Sequence, residues 1–157
     1  GAYMIVKTTS LQDTQRFAEE LGKRLPGGSM LELRGDVGVG KTAFIKGLAW
    51  GMGVEDDVQS PSFTLSRVYE AREGQQLHHY DFYRLHDPGV LSYELAESLA
   101  DPQVVTVVEW ADVVEGILPP QRYVLQLSYG EGETERTIVC QPGTKELEEA
   151  YAAWSEN

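Results

Sequence analysis

The sequence predicts a single α/β domain spanning residues 1–157, in which helices flank a central, mainly parallel sheet with antiparallel hairpins at its edges. An apolar run at 30–33, a glycine-rich turn and an amphipathic helix follow one another, as at the start of a parallel βα unit. Residues 104–108 form the uninterrupted, β-branched run that is typical of a strand buried on both faces of a parallel sheet. Two pairs of strand-like segments enclose turn signals at 72–75 and 130–132, which indicates hairpins.

Capping residues and a four-residue apolar spacing mark the elements of the first half of the chain. Ser10 is a predicted helix N-cap, with Asp13 three residues on in an approximate capping box. Residues 26–28, a proline and two glycines, end that helix. The elements predicted in this half are a strand at 3–8, a helix capped by Ser10, a strand at 30–33, and a helix with Phe44, Leu48 and Met52 on one face.

The second half of the chain combines two hairpins with two further helices. Pro61 forces Ser60 towards extended backbone, so a hydroxyl-rich loop leads into the first strand of this half. The elements predicted here are a strand through about Tyr69 that pairs with one at 77–83, a helix at 90–100, the strand at 104–108, a hairpin of 123–129 and 136–140 at the sheet edge, and a last amphipathic helix with Leu147, Ala150, Tyr151 and Trp154 on its docking face.

Composition favours a soluble globular domain, with 41% hydrophobic and 24% charged residues. No apolar run approaches the roughly 18 residues of a membrane span, and the first residues lack the order of a signal peptide. A single cysteine, Cys140, excludes an internal disulfide and fits a reducing compartment, so we expect a cytoplasmic protein. Because the chain begins at Gly1 without methionine, we expect residues 1–2 to be a cloning remnant.

The formal charge of −12, from 25 acidic and 13 basic residues, argues against a domain that grips nucleic acid alone. Phosphate backbones demand a basic face, and an acidic surface repels them. Such a balance more often reflects nothing beyond a solvated surface.

The glycine-rich turn matches G-x-x-x-x-G-K-[ST] completely, which is the phosphate-binding loop of P-loop proteins. Glycines let the backbone curl so that several N–H groups point at one anion, and the following helix directs its positive end to the same point. Lys41 is expected on the β- and γ-phosphates, and Thr42 on Mg²⁺. The nucleotide-binding residues predicted here are Gly35, Asp36, Val37, Gly38, Val39, Gly40, Lys41, Thr42 and Ala43.

Two carboxylates are candidates for holding the metal or activating water. Glu109 follows the buried strand at 104–108, and a carboxylate there lies in the crevice where α/β sheets bind ligands. Asp81 ends another apolar strand. The alternatives are an ordinary surface glutamate for Glu109 and a structural ion pair with Arg84 for Asp81. Which of the two carboxylates ligates the metal directly stays open.

Other polar and aromatic residues have two interpretations each. His79 either polarises phosphate or satisfies a core hydrogen bond, and the second interpretation is favoured. Trp110 either stacks on the base or fills the core, with the core favoured. Ser62 and Thr64 are suited to sensing the γ-phosphate through Mg²⁺, but hydroxyls are also ordinary turn residues. Asp36 brings negative charge towards the phosphates, and we assign it no role.

Taken together, these motifs closely resemble the TsaE family (formerly YjeE), small bacterial ATPases required for threonylcarbamoyladenosine formation on tRNA. The resemblance runs from about residue 31 to residue 119 and rests on four segments in order: Gly35-Asp36-Val37-Gly38-Val39-Gly40-Lys41-Thr42, Ser60-Pro61-Ser62-Phe63-Thr64-Leu65, His79-Tyr80-Asp81-Phe82-Tyr83-Arg84-Leu85 and Val108-Glu109-Trp110. Ser62 departs from the threonine usual in the family, and the glycine expected around Ala96 is missing.

The resemblance implies a P-loop fold that binds ATP and Mg²⁺. It places Lys41 and Thr42 on phosphate and metal, Asp81 in the Walker B role, Glu109 near the metal or the attacking water, and Ser62 and Thr64 in a switch-like loop. Lys41, Asp81 and Glu109 are then the catalytic residues, Thr42, Asp81 and Glu109 the metal ligands, and Ser62, Thr64 and Trp110 additional nucleotide contacts.

It also implies a slow ATPase that docks on the threonylcarbamoyl transferase subunits TsaD and TsaB and resets them, and that contacts tRNA only indirectly. Alone, such a subunit is expected to be a monomer or a weak dimer with weak activity. Two alternatives remain: a small-molecule P-loop kinase, and a nucleotide-gated binding module that does not hydrolyse. A kinase usually has a mobile lid whose arginines cover the phosphates, and this sequence contains no segment with clustered arginines.

Overall fold

Seven strands form one mixed sheet in the computed structural model, which describes residues 2–59, 65–83 and 85–156. In chain order the strands are β1 (Met4–Thr8), β2 (Met30–Arg34), β3 (Ser66–Glu70), β4 (Gln76–Asp81), β5 (Val104–Glu109), β6 (Tyr123–Tyr129) and β7 (Arg136–Gln141). In space they follow the order β1-β7-β6-β2-β5-β4-β3. The single mixed sheet confirms the predicted α/β class.

Four helices flank this sheet within the described ranges, and two of them carry side-chain N-caps. Ser10 accepts a hydrogen bond from the backbone N–H of Asp13 at 3.0 Å, as the capping pattern predicts. Thr144 caps the last helix through the N–H of Leu147. The helices are α1 (Leu11–Gly22), α2 (Lys41–Gly51), α3 (Leu91–Ala100) and α4 (Lys145–Ser155), with short 3₁₀ segments at Arg72–Gly74 and Ala111–Ile117.

The centre of the sheet is parallel and both sides are antiparallel. Strands β6, β2, β5 and β4 run parallel, whereas β3 pairs antiparallel with β4, and β7 with both β6 and β1. Both predicted hairpins are present. The β6–β7 hairpin is not outermost, however, because β1 pairs along β7 and covers its backbone groups, which would otherwise form an open edge.

The core has one part on each face of the sheet. On one face α1, α2 and α4 pack against Val105 and Val107 of β5, and on the other α3 and the 3₁₀ segment at Ala111–Ile117 pack near Val108. All six residues of β5 are therefore buried, which explains its uninterrupted apolar run. On α4, Tyr151 remains 38% exposed, with its ring against Trp154 at the rim of the core.

Helices α1 and α2 pack with almost no side chain between them. A Cβ atom added at Gly47 would collide with the carbonyl oxygen of Gln15, and one added at Gly51 with that of Glu19. Only glycine permits such a close approach of two helix backbones. The contact fixes α2, and therefore the phosphate-binding loop that precedes it, against α1.

Across the described residues, we find no helix that is both long enough and apolar enough to cross a membrane.

Candidate nucleotide-binding site

Three neighbouring parallel strands bring the predicted site residues to one edge of the sheet. Asp81 is the last residue of β4 and Glu109 the last of β5, and the two are paired in the parallel register. On the other side of β5, Leu33 of β2 pairs with Glu109, and the phosphate-binding loop starts two residues later at Gly35. Both carboxylates and the loop thus meet at the carboxyl ends of the strands, where α/β sheets bind ligands.

The predicted phosphate-binding loop, residues 35–42, has three glycines in left-handed backbone conformations. Gly35, Gly38 and Gly40 have φ values of 140°, 86° and 118°, which other residues rarely adopt. Gly40 is the N-cap residue of α2 and has no side chain to cap it. The positive end of α2 therefore opens towards the loop, as an anion site requires.

Lys41, the first residue of α2, is only 6% exposed and lies against the loop and β5. Its Nζ donates to the Gly35 carbonyl at 2.6 Å, lies 3.8 Å from Oε1 of Glu109, and sits 4.1 Å from the centre of the Trp110 ring. Burial lowers the pKa of the Lys41 ammonium, and the nearby carboxylates, Glu109 first, partly offset this. The lysine is therefore held inside the site, next to Glu109 and close enough to Asp81 to be influenced by its charge.

Asp81 and Glu109 form a pair of acidic groups beside Lys41. Burial and the charge of Glu109 raise the pKa of the Asp81 carboxyl, although a hydrogen bond from the Tyr83 N–H at 3.0 Å opposes this. Two crowded carboxylates attract a cation. No group of three or more His, Cys, Asp or Glu residues suited to a metal occurs in the described ranges, so any cation here needs ligands beyond these two carboxylates.

His79 makes a buried hydrogen bond to Glu109, so the favoured core interpretation of this histidine agrees with the structure. It is 1% exposed, and its Nε2 lies 2.7 Å from Oε2 of Glu109. The bond ties the histidine to a predicted catalytic residue and limits the orientations of that carboxylate. The sequence gives no sign of this link, because the two residues are 30 positions apart.

Trp110 lies between the core and the pocket, which agrees in part with the favoured core interpretation, while stacking on a base stays a prediction. It is partly buried against the cluster around α3, and its ring is 4.9 Å from that of Tyr83. Its backbone is left-handed, with φ 55° and ψ 55°, at the turn from β5 into the following 3₁₀ segment. The turn places the indole over Lys41.

A pocket of about 350 Å³ opens where these groups meet. Its lining includes two residues to which the sequence analysis gives no role in the site. Leu11, at the start of α1, stands in no motif, whereas Tyr83, after β4, stands in the third segment of the family resemblance. The pocket is lined by Leu11, Val37, Gly38, Gly40, Lys41, Thr42, Ala43, Asp81, Tyr83, Glu109 and Trp110.

Other predicted site residues lie outside this lining. The side chain of Val39 is buried beneath the loop, and Asp36 is exposed. Gly35 is behind Lys41, whose ammonium it binds through its carbonyl. Ser62, Thr64 and the proposed ion-pair partner Arg84 lie outside the described residues, so their predicted roles stay predictions.

Comparison with known proteins extends the resemblance over most of the chain. The family model described as "Threonylcarbamoyl adenosine biosynthesis protein TsaE" matches residues 8–138, which extends from the last residue of β1 through β6 and into the first half of β7. The TsaE protein of Treponema pallidum (strain Nichols) is 36% identical over 130 residues, which cover 82% of this chain and 95% of that protein. The TsaE protein of Bacillus subtilis (strain 168) is 35% identical over 134 residues, or 84% and 81% of the two chains.

Similarity in three dimensions agrees with the similarity in sequence. The crystal structure of YdiB from Bacillus subtilis matches with a TM-score of 0.72 and 28% identity, over 98% of this chain and 95% of the other. The chain therefore belongs to the TsaE family of threonylcarbamoyladenosine biosynthesis proteins.

Proposed function

We propose that this protein is a Mg²⁺-dependent ATPase, weak alone, that acts in threonylcarbamoyladenosine formation on tRNA by docking on the transferase subunits TsaD and TsaB and resetting them. The observation that carries the ATPase part is the convergence of the phosphate-binding loop, Lys41, Asp81 and Glu109 on one pocket. The assignment to threonylcarbamoyladenosine formation is supported by the family membership.

The pocket suits the phosphates of a nucleotide. Its concave side is made by a glycine-rich loop and the N-terminal end of α2, which favour anions through backbone N–H groups and the helix dipole. Lys41 adds a cation next to this loop. To reach the β- and γ-phosphates, its ammonium would exchange the Gly35 carbonyl for phosphate oxygens.

The acidic side of the pocket suits Mg²⁺ that arrives with the nucleotide. Magnesium is usually held by one or two carboxylates together with substrate phosphates and water, rather than by a dedicated protein cage. Asp81, Glu109 and the Thr42 hydroxyl are the residues that would hold it, and Asp81 has a raised pKa because burial and its acidic neighbour disfavour its charge. The metal would supply charge neutralisation at the phosphates.

Glu109 is the residue we assign to orienting the attacking water or the metal. It is 4% exposed and fixed by His79 on one carboxylate oxygen, while the other oxygen lies near Lys41. A carboxylate held in one orientation can position water without reorganising during the reaction. Ser62 and Thr64 are proposed to complete the site as a switch that responds to the γ-phosphate.

Removing the lysine tests the phosphate assignment. We expect Lys41→Ala to weaken Mg-ATP binding by about 100-fold or more, because charge-assisted hydrogen bonds contribute about 1.5–3 kcal/mol each. Calorimetric titration of the purified protein measures it. Lys46→Ala, on the same helix but outside the pocket lining, is the matched control and should bind as the unaltered protein does. Unchanged affinity in the Lys41 variant would remove the basis of the proposal.

The biological role is tested separately from nucleotide binding. Expression of this chain in a bacterium depleted of its own TsaE should restore threonylcarbamoyladenosine in tRNA, as measured by nucleoside mass spectrometry, and the Lys41 variant should not. A protein that binds ATP but transfers phosphate to a small molecule, and fails to restore the modification, would instead be a kinase.

A further inference from the structure

Arg136, the first residue of β7, is a buried cation that contacts the phosphate-binding loop from behind. It is 7% exposed, and its Nε donates to the Val39 carbonyl at 2.8 Å. A second guanidinium nitrogen donates to the carbonyls of Glu133 and Glu135 at 2.8 and 2.9 Å. The guanidinium also lies over the ring of Tyr129, 4.6 Å from its centre. The side chain thus joins the β6–β7 hairpin to the loop.

The surroundings of Arg136 differ from those of an ordinary structural ion pair. Among the residues that the model describes, no carboxylate lies within 4.0 Å of its guanidinium, and its protein partners are backbone carbonyls and one aromatic ring. Burying a charge is costly unless hydrogen bonds compensate for it. The fixed fork of the guanidinium suits three carbonyls at once, which an ammonium cannot match in geometry.

The Val39 carbonyl is the important contact because of the peptide that it belongs to. In a planar trans peptide the C=O and the N–H of the next residue point in opposite directions. With the Val39 carbonyl directed at Arg136, the N–H of Gly40 is directed away from Arg136. Gly40 lines the pocket, whereas Val39 is 1% exposed beneath the loop, and the Val39 N–H is itself bound to the Asp36 carbonyl at 3.2 Å.

We propose that Arg136 is a positioning residue for nucleotide binding, which holds the Val39–Gly40 peptide so that its N–H faces the phosphates. Glycine at position 40 gives this peptide freedom to rotate, and a hydrogen bond from a buried arginine removes that freedom. The proposal rests on the proposed function, since it presumes that ATP binds to this loop. It concerns the phosphates and not the base.

Arg72 provides a matched control, since it also donates to backbone carbonyls without contacting the loop. Its guanidinium binds the carbonyls of Gly51, Gly22 and Lys23, at the C-terminal ends of α1 and α2. Replacing Arg72 therefore removes a comparable set of bonds at the opposite end of α2. Both arginines can be changed to glutamine, which keeps donors but loses the charge and the fork.

The experiment is a calorimetric titration of the full chain and its variants with Mg-ATP and with Mg-tripolyphosphate, at a temperature where circular dichroism shows each to be folded. We expect Arg136→Gln to lower the affinity for both ligands by about tenfold, which corresponds to the loss of one well-made charged hydrogen bond. Arg136→Lys should fall between that variant and the unaltered protein, and it serves for the test if the glutamine variant does not fold. Arg72→Gln should lower the melting temperature and leave both affinities within about twofold.

Three results would overturn the positioning role. Arg136→Gln could bind both ligands like the unaltered protein while Lys41→Ala does not, or it could lose no more affinity than Arg72→Gln. It could also lose affinity for ATP and not for tripolyphosphate, which would mean that Arg136 affects binding of the nucleoside and not of the phosphates. Failure of the unaltered protein to bind either ligand would instead contradict the proposed function.

Discussion

At the scale of single residues, the site holds its charged groups in contacts that the proposed binding of a nucleotide would rearrange. Lys41 is bound to the Gly35 carbonyl and lies near Glu109, which in turn is bound to His79. Each of these contacts offsets part of the cost of burying a charge. The effect of a substitution therefore has two parts, one on the stability of the protein without ligand and one on its chemistry.

For Glu109 we predict that hydrolysis suffers more than binding. Glu109→Gln keeps an oxygen that can accept from His79 but loses the charge, so we expect turnover to fall about 100-fold or more while ATP affinity changes less than about fivefold. Steady-state turnover and calorimetry on the same preparation measure the two effects. Glu148→Gln, on the exposed side of α4, is the control. Equal losses of turnover and affinity would identify Glu109 as mainly a binding ligand.

For Asp81 we predict that the variant is more stable than the unaltered protein. Burial and Glu109 raise the pKa of this carboxyl in the folded state, so its charge disfavours folding at every pH above that pKa. The penalty disappears as the pH falls to the pKa of the unfolded state, about 4. Without Mg²⁺, Asp81→Asn should therefore melt at a higher temperature at pH 8, and this gain should shrink towards pH 5.

Thermal melting across this pH range, monitored by circular dichroism, measures the effect. Asp87→Asn is the control, because Asp87 is exposed and accepts the same kind of bond from a backbone N–H two residues on. A gain in melting temperature that grows towards pH 5 would contradict the assignment, as would an equal gain in the control.

The sequence alone pointed to the residues to which we assign a chemical role, but not to the residues that support them. The loop, Asp81 and Glu109 stand in motifs whose spacing reflects local geometry, so the sequence alone predicted them. Arg136 and Val39 are 97 positions apart, and Leu11 joins the pocket from another helix. Such contacts depend on the order of the strands and on helix packing, which no local pattern encodes.

At the scale of secondary-structure elements, the position of the loop depends on the contact between α1 and α2. Glycine at position 47 permits the two helix backbones to touch. A larger residue would push the helices apart and would move Lys41 relative to the ends of β4 and β5. The stability of the fold and the geometry of the site are thus linked through this contact.

We predict that Gly47→Ala lowers stability although alanine is the better helix former. The gain in propensity is about 1 kcal/mol, but the added Cβ meets the Gln15 carbonyl, and overpacking of this kind costs about 1–3 kcal/mol or more. We expect a melting temperature lower by several degrees in a thermal scan. Gly116→Ala, where no atom lies within 4 Å of the new Cβ, should have no such effect. A stabilised Gly47 variant would contradict the close contact.

The strand pattern allowed the elements to be predicted but not the place of β1 in the sheet. Both hairpins follow from turn signals between adjacent segments, and both are observed. The pairing of β1 with β7, by contrast, joins Met4 to Cys140. Alternation shows that a segment is a strand with one buried face, but it does not show which distant strand it joins.

At the scale of the whole molecule, the charge of the protein shapes its relation to tRNA. A formal charge of −12 repels a phosphate backbone, whereas the proposed pathway ends on tRNA. The docking on the transferase subunits that we propose, with only indirect contact to RNA, would resolve this conflict. The pocket lies at the carboxyl edge of the sheet, where a partner could complete or release the site.

The central claim is that this site turns over ATP in response to its partners. The most direct measurement is ATP hydrolysis by the purified protein, with and without the cognate TsaD and TsaB subunits, each in the presence and absence of Mg²⁺. We predict slow turnover by the protein alone, a marked increase with both subunits, and no turnover without Mg²⁺. A rate of ATP hydrolysis that is the same with and without the subunits, or no hydrolysis under any condition, would contradict the account.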